Sequence, residues 1–172
     1  MSLNTHLEII LHSMADRLAA QIKDYSPDSV MMIGIHTGGV WVAQRLHELL
    51  HLSTPLGQLD ISFYRDDFTR IGLHPSVKTS SLPVRMDDKH IILVDDVLQT
   101  GRTVRAALNE IFDYGRPASV TLAVLVERNG RELPIQADVV GFSLHLDESK
   151  AIKLSGPDPL YFEIRSTQQA TH

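Results

Sequence analysis

Two hydrophobic patterns alternate along the chain. Between residues 5 and 24, Leu7, Ile10, Leu11, Met14, Leu18 and Ile22 recur at three- and four-residue spacing, which predicts an amphipathic helix. Thr5 and Glu8 have capping-box spacing at its start, and Pro27 follows its end. Val30-Met31-Met32-Ile33-Gly34-Ile35 has no polar alternation, as expected of a strand covered on both faces of a parallel sheet. His36-Thr37-Gly38-Gly39 then leads into a helix predicted to run through about His51. Leu59, Ile61 and Phe63 alternate with Asp60, Ser62 and Tyr64, the period of a half-exposed strand.

The second half repeats the theme. Ile91-Ile92-Leu93-Val94 is another unbroken apolar run, and Val104, Ala107, Leu108, Ile111 and Phe112 carry a helical period. Ser119 to Val126 and Ala137 to Phe142 read as further sheet strands. Gly156-Pro157-Asp158-Pro159 is a turn, Leu160 to Ile164 an edge strand, and Ser166 to His172 a polar tail. Strands alternating with helices predict an α/β fold with a central, mostly parallel sheet flanked by helices. With no repeat or linker, residues 1–172 are expected to form one domain. The stretch from Arg65 to Arg85, rich in Thr, Ser, His and Gly with two prolines, reads as a surface loop or as a cover over an active site.

The chemistry concentrates in one segment, Ile91 to Thr103. Asp95 and Asp96 fall at the carboxyl end of a buried strand, where open α/β sheets bind ligands. Gln99-Thr100-Gly101-Arg102-Thr103 offers a glycine for a tight turn, hydroxyl donors and a helix N-terminus, which together suit a phosphate. Paired carboxylates beside an anion cradle fit a ligand with hydroxyls and a phosphate, such as a ribose 5-phosphate. The plainer reading is that the acids end a strand and cap a helix.

Composition narrows the picture. The chain is 43% hydrophobic and 22% charged, enough for a real core, and it has no cysteine for disulfides or thiolate metal sites. No apolar run approaches the roughly 18 residues of a membrane span, and the N-terminus lacks a signal pattern, so a soluble cytoplasmic protein with no membrane partner is expected. A formal net charge of -5 argues against a globally basic nucleic-acid binder, and no DNA partner is expected.

VDDVLQTGRTVRAAL closely resembles the PRPP-binding motif of type I phosphoribosyltransferases, and more particularly the PyrR family of pyrimidine-operon attenuation regulators that are also uracil phosphoribosyltransferases. Gly34 to Gly39, Leu59 to Asp67, Tyr114 to Ala118 and Leu125 to Ile135 resemble that family in the same order, over roughly residues 30 to 141. The resemblance implies the type I phosphoribosyltransferase fold, with a flexible hood over the C-terminal edge of the sheet at about residues 64 to 88. It implies conversion of uracil and PRPP to UMP and diphosphate with Mg²⁺, in a homodimer or tetramer. A pyr leader mRNA is a further implied partner, though 16 Lys and Arg against 21 Asp and Glu give it weak support. The competing readings are a UMP-sensing RNA-binding attenuator with vestigial catalysis and a purine phosphoribosyltransferase.

Site roles follow the same resemblance. Asp95 and Asp96 are expected to hold the ribose hydroxyls and, through water or those hydroxyls, the metal. Val97, Leu98 and Gln99 are expected to bind PRPP, and Thr100, Gly101, Arg102 and Thr103 to anchor its 5′-phosphate. Thr37, Gly38 and Gly39 are expected to bind the diphosphate through main-chain groups. The family loop usually reads K-T-R-G, and His36 and Gly38 stand here in place of its Lys and Arg. Arg65 and Arg128 are expected to stabilise the leaving group, since a guanidinium forms bidentate bonds with phosphate oxygens. Asp66 and Asp67 either orient Arg65 or face solvent, Arg131 is read as structural, and the nucleobase pocket beyond Gly141 is not assigned.

Overall fold

The unbroken apolar runs become the strands of one sheet. The computed structural model describes residues 6–61, 81–82 and 85–167. Strands β1 (Val30–Ile35), β2 (Gly57–Leu59), β3 (His90–Leu98), β4 (Ser119–Arg128) and β5 (Val139–Leu144) pair in the order β2-β1-β3-β4-β5, every pair parallel. Helices α1 (Leu7–Ile22), α2 (Gly38–Leu49) and α3 (Arg102–Asp113) cover it. Strands β6 (Lys150–Ser155) and β7 (Tyr161–Ser166) form a separate antiparallel hairpin.

The lack of polar alternation has a direct structural counterpart. Successive side chains of a strand point to opposite faces, so a strand covered on both sides must be apolar throughout. Met32, Ile92, Val94, Ala123 and Leu125 face a core shared with α1, α2 and the hairpin. Their neighbours Met31, Ile33, Ile91, Leu93 and Val124 face a second core under α3. Each buried aliphatic side chain contributes roughly 1.5–3 kcal/mol of transfer free energy, and every residue of β1 is buried. Arg45 on α2 bonds Glu8 on α1 and Glu48 on its own helix, at 3.0 and 2.8 Å. Glu8 above all holds the guanidinium pKa above its ordinary value, but these side chains are exposed and the link adds little stability.

Several boundaries differ from the sequence expectation. Helix α1 begins at Leu7 with His6 as N-cap and no side-chain cap bond; Thr5 of the expected capping box lies outside the described residues. Helix α2 stops at Leu49, short of His51, whose φ of 50° is left-handed. The expected half-exposed strand from Leu59 is instead a short parallel strand ending at Leu59, with both Leu59 and Ile61 buried. The C-terminal edge strand is half of a hairpin, and β6 was not expected. Of the expected hood, only 81–82 and 85–88 fall among the described residues.

The strand order places a crossover point between β1 and β3. The chain leaves β1 towards β2 on one side, and β3 to β5 fill the other. In such sheets the loops at the carboxyl ends of the two central strands diverge and leave a crevice.

Candidate active site

A cleft of about 710 Å³ opens at this crossover point. The loop after β1 brings His36, Thr37 and Gly38 to one wall, and β3 with its following turn brings Asp95 to Gly101, then Thr103, to another. The third wall is the β6 segment Ile152-Lys153-Leu154. Residues far apart in sequence thus meet because the parallel strands β1, β2 and β3 end at one rim and the hairpin lies beside it.

The acid pair is built into the backbone. Asp95 is 4% exposed, and its Oδ1 accepts the Asp96 N–H at 2.9 Å. Asp96 Oδ1 accepts the Val97 N–H at 3.0 Å. A charged group so nearly removed from water needs donors around it, and the Asp96 amide supplies one to Asp95.

Glycines at residues 38 and 39 let the opposite loop approach the acids. A Cβ on Gly39 would lie 2.7 Å from the Val94 carbonyl oxygen and 3.0 Å from Asp95 Cα, closer than atoms can pack. Gly39 therefore supports the cleft from behind without lining it. His36 donates its backbone N–H to Leu59 O at 2.8 Å, which carries the β1–β2 pairing to the rim and sets His36 beside Asp60. The His36–Thr37 peptide is cis. His36 lines the cleft, and its Nδ1 is buried with no hydrogen-bond partner among the described residues.

The turn after β3 is braced by the segment after β4. Gly101 has φ 91°, a left-handed conformation that glycine takes without strain, and starts α3 as its N-cap. Thr100 Oγ1 accepts the Arg102 N–H at 3.1 Å, while Thr100 O accepts the Glu132 and Leu133 N–H groups, each at 3.0 Å. Arg131 donates to Gln99 O and to Glu127, both at 2.7 Å. The turn is thus held from behind at the N-terminus of α3, a position at which helix amides can take an anion.

The two arginines expected at the ligand and described here lie elsewhere. Arg102 does not line the cleft, because its Nε donates to Glu132 at 2.7 Å. Arg128 also falls off the rim: it is 6% exposed under the hairpin, donates from Nη1 to Lys150 O at 3.1 Å, and leaves its buried Nε without a partner among the described residues. Arg128 is the last residue of β4, as expected, but its side chain packs under the hairpin and does not line the cleft. Arg65, Asp66 and Asp67 lie outside the described residues. The structure adds Trp41, Asp60 and the β6 residues to the cleft. Asp60 had a signal, since a strand parallel to β1 ends at the same rim; β6 had none, because its place depends on contacts with distant residues.

The chain matches the family model "Phosphoribosyl transferase domain" over residues 6–157. Bifunctional protein PyrR of Nitrosococcus oceani is 61% identical over 167 residues, covering 96% of this chain and 93% of that protein. This chain belongs to the PyrR family. Bifunctional protein PyrR of Pseudomonas paraeruginosa is 55% identical over 163 residues, 95% of either chain. The PyrR cleft therefore sits in a phosphoribosyltransferase domain, and the chain is a phosphoribosyltransferase with the fold of the type I enzymes. Among solved structures, hypoxanthine phosphoribosyltransferase of Trypanosoma cruzi shares that fold with a TM-score of 0.65 at 20% identity, over 84% of this chain and 81% of that one. Among the described residues no helix of this PyrR chain is long and apolar enough to cross a membrane.

Proposed function

We propose that this chain transfers the phosphoribosyl group of PRPP to uracil, giving UMP and diphosphate. One observation carries the reading: a carboxylate pair and the turn that opens α3 line the same cleft as the glycine loop at the start of α2. The similarity to the PyrR proteins supports uracil as the acceptor.

Cleavage at the anomeric carbon develops positive charge on the ribose and negative charge on the departing diphosphate. Asp95 and Asp96 hold the ribose hydroxyls, and their charge favours the oxocarbenium-like centre. Thr100, Gly101 and Thr103 bind the 5′-phosphate through amides and hydroxyls, while Thr37 and Gly38 offer main-chain groups to the diphosphate. Arg65 is assigned to the leaving group by the family resemblance, as a guanidinium that binds phosphate oxygens. The role of Arg128 is support of the hairpin instead.

The donor set fits Mg²⁺. Asp60, Asp95 and Asp96 give the cleft hard carboxylate oxygens, and an ion that keeps several waters and rests on substrate oxygens needs no larger protein cage. Among the described residues no group of three or more His, Cys, Asp or Glu is placed to hold a metal alone. Asp95 and Asp96 would hold Mg²⁺ through water or the ribose hydroxyls, and the ion would supply charge neutralisation on the diphosphate.

Incubating the pure chain with PRPP, Mg²⁺ and each free base tests the reading. UMP and diphosphate are expected with uracil. Product with a purine base alone gives the purine alternative, and no product with any base sinks the transfer reading.

The second reading is regulatory, and the name "Bifunctional protein" of the relatives favours it. In it a homodimer or tetramer in the cytoplasm binds a pyr leader RNA under the control of UMP. With 16 Lys and Arg against 21 Asp and Glu, binding must rest on a local basic patch. An electrophoretic shift with leader RNA over a salt series tests it: a retarded complex that weakens with salt is expected, and none at low salt removes it.

A further inference from the structure

The charge around the cleft is uneven. Its lining carries Asp60, Asp95 and Asp96, yet Lys153 is the sole lysine or arginine among its described lining residues. The arginines near it are committed elsewhere: Arg102 to Glu132, Arg131 to Glu127 and Gln99 O, and Arg128 to Lys150 O.

Lys153 is also directed by its strand. Ile152 and Leu154 are buried in the core with Phe162, so the two-residue period of β6 puts Lys153 on the opposite face. Its cross-strand neighbour is Glu163, whose carboxylate is already paired with Arg165. Among the described residues Lys153 has no hydrogen-bonding or ionic partner. The root of the strand is fixed, because Arg128 bonds Lys150 O and the Asn129 amide bonds both backbone groups of Leu146.

We propose that Lys153 selects the acceptor base, its ammonium group donating to the 4-carbonyl oxygen of uracil from the β6 wall. The inference rests on the transfer reading above. That reading places the two anionic parts of PRPP on loops rich in backbone N–H, at Thr37 to Gly38 and at Thr100 to Thr103. The β6 wall offers no such run of free loop amides, and with Trp41 nearby it suits a flat heterocycle better than a phosphate. An ammonium group only donates hydrogen bonds. Uracil presents a carbonyl acceptor at position 4, where cytosine presents an amino donor that faces the ammonium donor-to-donor. A site built to satisfy one group discriminates strongly against an analogue lacking it.

The experiment is steady-state kinetics on the full chain with Lys153→Met, Lys153→Gln and Lys153→Arg, with uracil and cytosine as acceptors, alongside calorimetric titration of UMP. Lys153 is exposed, so the variants are expected to melt as the wild type does. Lys153→Met should raise the KM for uracil and weaken UMP binding about tenfold or more, and should narrow the preference for uracil over cytosine. The KM for PRPP should stay within about twofold, and Lys153→Arg should recover most of the loss. An unchanged uracil KM and unchanged preference in Lys153→Met, with an active wild type, overturns the assignment. A rise confined to the KM for PRPP overturns it too, and moves Lys153 to the phosphates. A wild type that makes no UMP sinks the transfer reading itself, and this inference with it.

Discussion

A Cβ placed on Gly38 would lie 2.2 Å from Oδ2 of Asp96. The first turn of α2 and the acid pair of β3 therefore occupy adjoining space that any side chain at residue 38 would invade. The wall expected to take the diphosphate is in van der Waals contact with the acids expected to take the ribose, so a change in one is felt by the other.

Gly38→Ala and Gly39→Ala should fail in different ways. The methyl of Gly38→Ala meets a carboxylate that can rotate, so stability should fall by under about 1 kcal/mol while turnover drops at least about tenfold. The methyl of Gly39→Ala meets the backbone of Val94 and Asp95, which cannot rotate aside, and should destabilise by about 1–3 kcal/mol. Thermal melts beside kinetics separate the two, and a fully active Gly38→Ala contradicts the coupling.

Asp95→Asn with Asp96→Asn should abolish transfer while the fold persists. Each asparagine keeps an oxygen able to accept the Asp96 or Val97 N–H, so only the negative charge is lost. We expect a fall in turnover of about a hundredfold or more, with an unchanged circular dichroism spectrum. Normal turnover by the double variant refutes the site.

Arg131→Met should impair PRPP binding although Arg131 does not line the cleft. It loses the bonds to Gln99 O and Glu127 that hold the turn before Thr100. Misplacement of that turn should raise the KM for PRPP about tenfold, given how steeply rates fall with small positional errors. An unchanged KM shows that the turn holds its shape without the brace.

Asn129→Ala should loosen the hairpin. Asn129 donates to Leu146 O at 3.1 Å and accepts the Leu146 N–H at 2.9 Å, extending backbone-like pairing beyond β4. Its loss should destabilise by about 1–3 kcal/mol and increase hydrogen exchange in β6 and β7. Unchanged exchange there means that the apolar contacts of Ile152, Leu154 and Phe162 hold the hairpin alone.

What the sequence determined by itself was whatever the chain dictates over short distances. Two-sided burial requires apolar residues without alternation, so β1, β3 and β4 and the parallel sheet were legible. A tight turn opening a helix needs a residue that takes a left-handed conformation, so the turn from Gln99 to Thr103 was legible beside Asp95 and Asp96. The PyrR resemblance rested on those same local runs. Tertiary structure alone decided which charges reach the cleft. Arg128 and Arg102 sit in sequence where cations are wanted, but the hairpin covers one and Glu132 captures the other. Lys153 sits where no motif marks it, and it reaches the cleft because Ile152 and Leu154 bury the other face of β6 against the core built by α1 and α2. A side chain's direction there follows from burial shared among residues distant in the chain, which no local pattern encodes.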